Sequence, residues 1–285
     1  NGDGPSTSAP NGVRATWIGH ATFLIEIGGL TVLTDPHWSE RASPVSWAGP
    51  RRLSAPGVPF EALPRIDAVL LSHDHLDHLD EGSVRALSTR YGSDVRWCTP
   101  LGYTPLLRKW GVSRIIELDW YDSTRLGPPR ADDRSGSSGT AGPSDEATEP
   151  SATRPAVEAI FLPAQHWSAR SPFTRNRRLW GSWAIREVGG PRSVYFGGDI
   201  GWFPAYPEIG SRAGPFDLVI LPIGAYAPRW FMKPVHMNPA EAVRSYQDLG
   251  GQGVLTGMHW GTFRLSDEHP LEPPRLLRKA WEEAG

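Results

Sequence analysis

The feature that most constrains this chain is a dense cluster of histidine and aspartate directly after an apolar segment. Residues 68–71, AVLL, contain no turn-forming residue and predict a buried strand. Residues 73–78, HDHLDH, follow almost at once and hold three histidines and two aspartates. Imidazole nitrogens and carboxylate oxygens bind Zn²⁺ at about 2.0–2.2 Å. The segment therefore predicts a metal site at a strand end. The alternative, a histidine-rich surface loop, would be expected to carry Gly, Ser and Lys instead.

The spacing inside the cluster predicts two neighbouring metal positions. Alternate residues of a strand share a face, so His73 and His75 are expected to point to the same side. Asp77 and His78 lie past the strand, where the chain turns, and are expected to reach a second position nearby. One short segment can therefore begin two metal sites, and the remaining ligands must come from later in the chain.

Later strand ends supply candidates for those ligands. His166, Asp199 and His259 each follow a predicted strand. Glycines around Asp199 allow close approach of the backbone and free its carboxylate to point at a shared centre. Asp35 ends another predicted strand, directly before a proline. Each of these residues alone would be interpreted as an ordinary turn residue, and beside the cluster at 73–78 His166, Asp199 and His259 become candidate ligands.

The rest of the chain alternates between strand and helix patterns. A helix is predicted from about residue 81 to 90 after Asp80 as N-cap, and another to residue 247 after Asn238 as cap. Further helices are predicted at 103–110 and 273–283. Alternation of this kind predicts mixed sheets with helices on the outer faces. Strands are predicted at residues 13–18, 22–27, 30–34, 68–71, 96–99, 114–118, 157–162, 180–188, 193–196, 217–221 and 253–258.

Composition separates two segments from the predicted domain. Residues 1–12 have neither the charged start nor the apolar stretch of a signal peptide, and we expect a disordered tail there. Residues 122–154 are dominated by Gly, Ser, Pro, Thr, Asp and Glu and cannot bury enough apolar surface to offset their ordering entropy. We therefore predict a single domain at 13–285 with a disordered insertion at 122–154.

Charge and hydropathy exclude several classes of function. The net charge of −2 gives no basic footprint, so we expect no nucleic-acid partner. The single cysteine, Cys98, excludes an internal disulfide. A transmembrane helix needs a run of about 18 apolar residues, and the sequence has none. We therefore expect a cytoplasmic protein, with peripheral contact with the inner membrane left open.

The order H-x-H-x-D-H resembles the signature of the metallo-β-lactamase superfamily. The resemblance implies an αββα sandwich, an α/β fold in which two mixed β-sheets pack face to face with helices outside. It also implies two Zn²⁺ ions, although other divalent metals are open, and it gives Asp35 a supporting role behind the ligands. The ligand set that it implies is His73, His75 and His166 for one metal, Asp77, His78 and His259 for the other, and Asp199 between them.

Sequences flanking the ligands form a more specific pattern. The segments are GHAT at 19–22, LTDP at 33–36, RASP at 41–44, GP at 49–50, WGSW at 180–183, GPFDL at 214–218, PIGAY at 222–226, PRWFM at 228–232, HWGTF at 259–263 and EHPLEPP at 268–274. They resemble a narrower group, the N-acyl-phosphatidylethanolamine-hydrolysing phospholipase D (NAPE-PLD) family, and the excess of arginine over lysine, with abundant Pro, Ala and Gly, indicates a bacterial member. The resemblance implies hydrolysis of N-acyl-phosphatidylethanolamine-like lipids to N-acylethanolamine and phosphatidic acid. In the animal members other residues stand at the positions of Ser46, Trp47 and Leu76 and line the substrate cavity, so lipid preference does not transfer.

Catalytic roles are expected for two residues. The two metals would activate water for attack on phosphorus, and Asp77 would accept the proton of that water. His236 would hydrogen-bond the phosphate or protonate the leaving group, unless it is a solvent-facing residue at a helix start. His20, between two strands, is open to a buried hydrogen bond or to a substrate role.

Other functions remain open at this stage. The expected substrate is a phospholipid or a small phosphodiester, and a homodimer is open. A second enzymatic hypothesis is another metal-dependent hydrolase of the same fold, with a lactone, a thioester or a cyclic phosphodiester as substrate. A third hypothesis is a non-catalytic, metal-loaded protein that binds acyl lipids through its tryptophan-rich loops.

Overall fold

The computed structural model of the chain describes residues 6–8, 12–127 and 156–285. In these residues, two mixed β-sheets of seven and six strands pack against each other. The first sheet contains, in spatial order, β1 (Ser6–Ser8), β2 (Arg14–Gly19), β3 (Thr22–Ile27), β4 (Leu30–Thr34), β5 (Ala68–Leu70), β6 (Arg96–Pro100) and β7 (Ile115–Leu118). The second contains, from its opposite edge, β8 (Ser123–Leu126), β9 (Val157–Leu162), β10 (Ser182–Glu187), β11 (Ser193–Phe196), β12 (Leu218–Pro222) and β13 (Val254–Met258).

Strand direction brings several strand ends to one edge of each sheet. In the first sheet, β4, β5, β6 and β7 run parallel. In the second, β11, β12 and β13 run parallel, and β9 points the same way because β9 and β11 both pair antiparallel with β10. The carboxyl ends of β9, β11 and β13 therefore share an edge, as the ends of β4 and β5 do in the other sheet.

The core between the sheets is built from alternating apolar side chains of both. Phe23 and Ile25 from the first sheet belong to one buried cluster with Phe161, Trp183 and Phe196 from the second. Each of the five is at most 1% exposed. Burying a large apolar side chain is worth about 1.5–3 kcal/mol, so this layer is a main source of stability.

Helices cover the outer faces, which completes the predicted αββα sandwich. Val84 and Leu107 belong to a buried cluster with Trp97 of the first sheet, and Ile209 and Ala242 belong to another with strands of the second. The predicted caps are present: the side chain of Asp80 accepts from Ser83 N, and Asn238 forms a capping box with Glu241. The helices are α1 (Glu81–Tyr91), α2 (Thr104–Lys109), α3 (Tyr206–Ala213), α4 (Arg229–Met232), α5 (Pro239–Asp248) and α6 (Glu272–Ala284).

Two segments predicted to be disordered contain strands. Residues 123–126 of the predicted insertion form β8, which pairs antiparallel with β9, and Leu126 is 1% exposed. Residues 6–8 of the predicted tail pair with β2. A free sheet edge offers backbone hydrogen bonds to polar and apolar segments alike, so composition misled the prediction. Residues 128–154 of the predicted insertion lie outside the described residues, as does most of the tail.

Helix α3 was not predicted at all. Its segment begins near two prolines and contains a glycine, a composition that predicts a loop. Pro207 lies in the first turn, where its missing N–H removes no helical hydrogen bond. None of the helices in the described part of the chain combines the length and the apolar character needed to span a bilayer.

Candidate metal centre

The predicted ligand residues come together where the strand ends of the two sheets face each other. Residues 72–79 follow β5 of the first sheet, whereas His166, Asp199 and His259 follow strands of the second. Their donor atoms form two groups, and within each group all atoms lie within 4.8 Å of one another. The shared direction of the strands therefore explains why residues far apart in sequence meet at one point.

The first group consists of His73, His75, His166 and Asp199. His75 Nδ1 lies 2.9 Å from His73 Nε2 and 3.2 Å from His166 Nε2. Asp199 Oδ2 lies 3.7 Å from each of those two Nε2 atoms. Donors around a tetrahedral Zn²⁺ at 2.0–2.1 Å lie about 3.3 Å apart. The spacing of this group therefore fits a metal ion.

The second group is formed by Asp77, His78 and His259, with Asp199 beside them. His259 Nε2 lies 3.2 Å from Asp77 Oδ2 and 3.0 Å from Asp199 Oδ1. His78 Nε2 lies 3.5 Å from Asp77 Oδ2 and 3.1 Å from Asp199 Oδ1. Two carboxylates buried against two imidazoles form a donor set of the kind that binds divalent metals.

Asp199 faces both groups with different oxygens. Oδ2 points toward His73 and His166, and Oδ1 points toward His78 and His259. The residue is 3% exposed. The structure thus places Asp199 at the position that the resemblance assigns to a ligand shared by two metals.

Hydrogen bonds behind the centre fix which nitrogen of each ring faces it. A carboxylate can only accept, so His78 Nδ1 donates to Asp35 Oδ2 at 2.8 Å. Ser72 Oγ donates to the same oxygen and accepts from His73 Nδ1 at 2.9 Å. His166 Nδ1 donates to a backbone carbonyl at 3.0 Å. In all three rings the hydrogen lies on Nδ1, and Nε2 presents its lone pair to the centre.

Buried atoms without partners indicate that these groups fit a cation. Within the described residues, His78 Nε2 and Asp199 Oδ1 have no hydrogen-bond partner although both atoms are buried. An unsatisfied buried polar group costs about 1–3 kcal/mol. Lone pairs that face each other at hydrogen-bond distances need a proton or a metal between them, and the donor set is that of a metal.

The pKa directions describe the same charge distribution. Burial lowers the pKa of His73 and His166 well below the ordinary value, so both rings are neutral donors. Burial acts in the same direction on His259, but the carboxylates of Asp199 and Asp77 together outweigh it and raise the pKa of His259 to about 9. Burial alone would raise the pKa of Asp199, but His259 and His78 hold it well below its usual range. The second group therefore attracts positive charge most strongly.

Two further histidines lie at the centre. His236 is 8% exposed, and its Nε2 lies 4.0 Å from Asp199 Oδ2, which excludes the alternative of a solvent-facing residue. His20 is buried, with Nε2 2.8 Å from Asp77 Oδ2, so the hydrogen-bond interpretation of His20 is the one that the structure supports.

Two arginines that sequence reasoning missed support residues 72–79, the loop after β5 that carries four of the predicted ligands and is called the metal loop below. Arg170 Nη1 donates to the carbonyl oxygens of Asp74 at 3.1 Å and Leu79 at 2.6 Å. Arg178 Nη1 pairs with the buried carboxylate of Asp74 at 2.8 Å. A buried carboxylate requires a charged or hydrogen-bonding partner. The density of arginine in residues 170–178 is a weak signal that predicts none of these contacts.

A cavity of about 370 Å³ opens beside the metal loop. Ser46 and Leu76 line it, together with Arg41 and Arg170. Trp47, which the resemblance grouped with Ser46 and Leu76, is instead 79% exposed. The cavity therefore runs from Leu76 and Leu79, on either side of Asp77 and His78 in the sequence, to the loop that carries Ser46, and the candidate ligands themselves do not line it.

Family comparison agrees with the fold. A family described as "Beta-lactamase superfamily domain" matches residues 31–260. The chain belongs to this superfamily and has the fold of its metallo-hydrolases, as the sequence predicted.

Among its relatives, an uncharacterised protein of Mycobacterium tuberculosis is 44% identical over 94% of this chain. The N-acyl-phosphatidylethanolamine-hydrolyzing phospholipase D 1 of Caenorhabditis elegans is 38% identical, also over 94% of this chain. The chain spans 64% of the mycobacterial relative and 70% of the nematode one. These relatives confirm the predicted resemblance, and the mycobacterial one fits a bacterial member.

Solved structures show the same fold at low identity. An isothiocyanate hydrolase from Delia radicum gut bacteria is 22% identical, with a TM-score of 0.65 over 95% of this chain and 92% of that one. Igni18, a metallo hydrolase from Ignicoccus hospitalis, is 21% identical, with a TM-score of 0.62 over 94% and 91%.

Proposed function

We propose that this chain is a dinuclear zinc phosphodiesterase of the phospholipase D type. Its substrates would be N-acyl-phosphatidylethanolamine-like lipids and its products an N-acylethanolamine and phosphatidic acid. The observation that carries the two-metal part is Asp199, whose two oxygens face two separate donor groups. The substrate class is supported by the nematode relative and by a mitochondrial yeast relative of the same name, 32% identical over 96% of this chain.

The residues of the centre divide the chemistry between them. Two Zn²⁺ ions held by the two groups would supply activation of water and neutralisation of phosphate charge. The Asp77 side chain is 14% exposed, against 2% or less for Asp199 and His78, so it is the carboxylate placed to accept a proton at the open side. His236 Nε2 lies 4.0 Å from Asp199 Oδ2, and we assign it to the leaving oxygen, where a ring N–H would stabilise developing charge.

The size of the cavity supports a lipid that stays partly outside the protein. Ligand pockets commonly occupy about 300–1,000 Å³, so 370 Å³ is at the lower end. A volume of that size accommodates a head group better than a whole phospholipid. The acyl chains would then remain in a bilayer against the rim of the site.

Exposed aromatic side chains on the rim support contact with a phospholipid surface. Trp47, Phe173, Trp230 and Phe231 are each at least 63% exposed. Trp47 and Phe173 lie on loops whose Ser46 and Arg170 line the cavity. Trp230 and Phe231 lie on α4, which is followed by the Val235 carbonyl that accepts from His166. The loop at 170–178 adds the exposed Arg175 and Arg177, which favour anionic lipid. Exposed aromatic residues beside basic ones are typical of membrane interfaces.

Vesicle flotation tests this contact without any turnover. The protein is expected to float with vesicles of phosphatidylcholine and phosphatidic acid, and the double variant Trp230→Ser with Phe231→Ser to remain in solution. Trp281→Ser, at an exposed tryptophan on α6, is the matched control and should float as wild type does. Equal flotation of all three proteins would contradict membrane contact through the rim.

Metal analysis coupled to a substrate panel tests the activity. Zinc-reconstituted protein is expected to hold about two ions per chain and to release phosphatidic acid from N-acyl-phosphatidylethanolamine. The panel also contains a lactone, a thioester and a cyclic phosphodiester. Preference for one of these would replace the substrate class, whereas lipid binding without turnover in metal-replete protein would support the binding-protein hypothesis.

A further inference from the structure

We propose that His20 is a positioning residue that holds the Asp77 carboxylate toward the second donor group. The inference rests on the metal-binding part of the proposed function and not on its substrate. His20 is 1% exposed, and its Nε2 lies 2.8 Å from Asp77 Oδ2. It lies outside the seven residues that the resemblance names as ligands, although its ring nitrogen lies within 4.8 Å of the donor atoms of Asp77, His78 and His259.

The direction of this hydrogen bond follows from its acceptor. The Asp77 carboxylate only accepts, so His20 Nε2 carries the hydrogen. The same Oδ2 lies 3.2 Å from His259 Nε2 and 3.5 Å from His78 Nε2. His20 therefore holds the oxygen that faces the donor group, and it fixes the plane of the carboxylate while leaving a lone pair directed at the group.

The backbone of His20 is held in place from both sides. Its φ of 56° lies in the left-handed region, which is uncommon for residues other than glycine. His20 N donates to Thr262 Oγ1 at 2.7 Å, and His20 O accepts from His259 N at 3.1 Å and from Trp17 Nε1 at 2.9 Å. An unfavourable conformation fixed by three hydrogen bonds gives the ring one defined direction.

The ring has one polar contact in the described part of the chain. The His20 ring lies against His259 with centroids 3.9 Å apart and the ring planes tilted by 44°, and it meets Phe263 edge-on at 5.3 Å. Its Nδ1 has no hydrogen-bond partner among the described residues, so Asp77 is the only hydrogen-bonding partner of the side chain there. Residues that orient metal ligands in this way typically contribute 10–100-fold to metal affinity.

A pair of amide variants isolates the hydrogen bond. His20→Gln keeps an N–H near the position of Nε2, whereas His20→Asn tolerates a left-handed backbone but is too short to reach Asp77. We expect His20→Asn to bind the zinc ion of the second donor group about 10–100-fold less tightly in chelator competition, with the other ion unchanged. His20→Gln should recover most of that loss. His37→Asn, which removes another buried histidine whose ring has no hydrogen-bond partner among the described residues, should match wild type.

Metal affinity and the absorption spectrum of cobalt-substituted protein are the readouts, and neither requires substrate. Wild-type affinity in His20→Asn would overturn the inference. Equal loss in His20→Gln and His20→Asn would also overturn it, since the nitrogen would then act as a ligand and not as a donor. In an Asp77→Asn background, His20→Asn should weaken binding no further. Wild type that holds one ion would contradict the two-metal proposal, whereas turnover of another substrate class would leave the role of His20 untouched.

Discussion

Asp35 and His78 form a hydrogen bond of 2.8 Å between Oδ2 and Nδ1, and both side chains are fully buried. The bond holds the hydrogen of His78 on the nitrogen that faces away from the centre, so Nε2 keeps its lone pair for a metal. Ser72 ties the same carboxylate to His73, so one aspartate orients a ligand of each group.

Asp35→Asn is therefore expected to weaken zinc binding by about 10–100-fold, because the amide cannot accept from His78 and from Ser72 with the charge of a carboxylate. Chelator competition measures the change. Asp67→Asn is a suitable control, since Asp67 also accepts from a backbone N–H but lies outside the centre. Equal affinities of the two variants would contradict a supporting role for Asp35.

Asp199→Asn should lower the metal content of both groups, unlike a change at a residue of one group. The substitution removes the one charge that faces both donor sets and leaves an amide nitrogen against one of them. Metal content after dialysis against a weak chelator is the measurement. Loss of one ion alone would mean that Asp199 serves a single metal.

Much of the centre was predictable because its ligands stand at strand ends with an unusual local composition. The cluster at 73–78 is a single short segment, and the position of Asp199 among glycines is also local information. Contacts between residues that are distant in sequence have no such signal in the local composition. His20 and Asp77 are 57 positions apart, and Arg170 reaches a carbonyl 91 positions away, so only the packing of the two sheets brings these partners together.

The prediction of secondary structure failed where backbone pairing or the position of a proline outweighed composition. The polar segment at 123–126 became a strand because β9 offered a free edge and Leu126 had a place in the core. Helix α3 tolerates a proline in its first turn, which a count of helix breakers cannot recognise.

The described end of β8 leads to a prediction about the residues that follow it. Leu126 pairs with Val157, so the described residues that flank segment 128–154 lie beside each other. Replacing that segment by a short Gly-Ser linker should leave the melting temperature and turnover nearly unchanged, because its composition offers almost no apolar side chain to the core. Leu126→Ala, a matched change inside the strand, should cost about 2–5 kcal/mol in the free energy of unfolding. A large loss of activity in the linker variant would show that the segment belongs to the site.

His236→Ala separates catalysis from metal binding. His236 Nε2 lies 4.0 Å from Asp199 Oδ2, and the residue stands outside the seven predicted ligands, so both metals should remain. Turnover of the lipid should fall by about 10²-fold or more, the usual scale for loss of an acid or base. The fall should shrink for a p-nitrophenyl phosphodiester, whose leaving group needs no stabilising N–H. His269→Ala, at an exposed histidine, provides the control. Loss of a metal from His236→Ala would make His236 a ligand, and an equal fall on both substrates would move its role from the leaving oxygen to the phosphate.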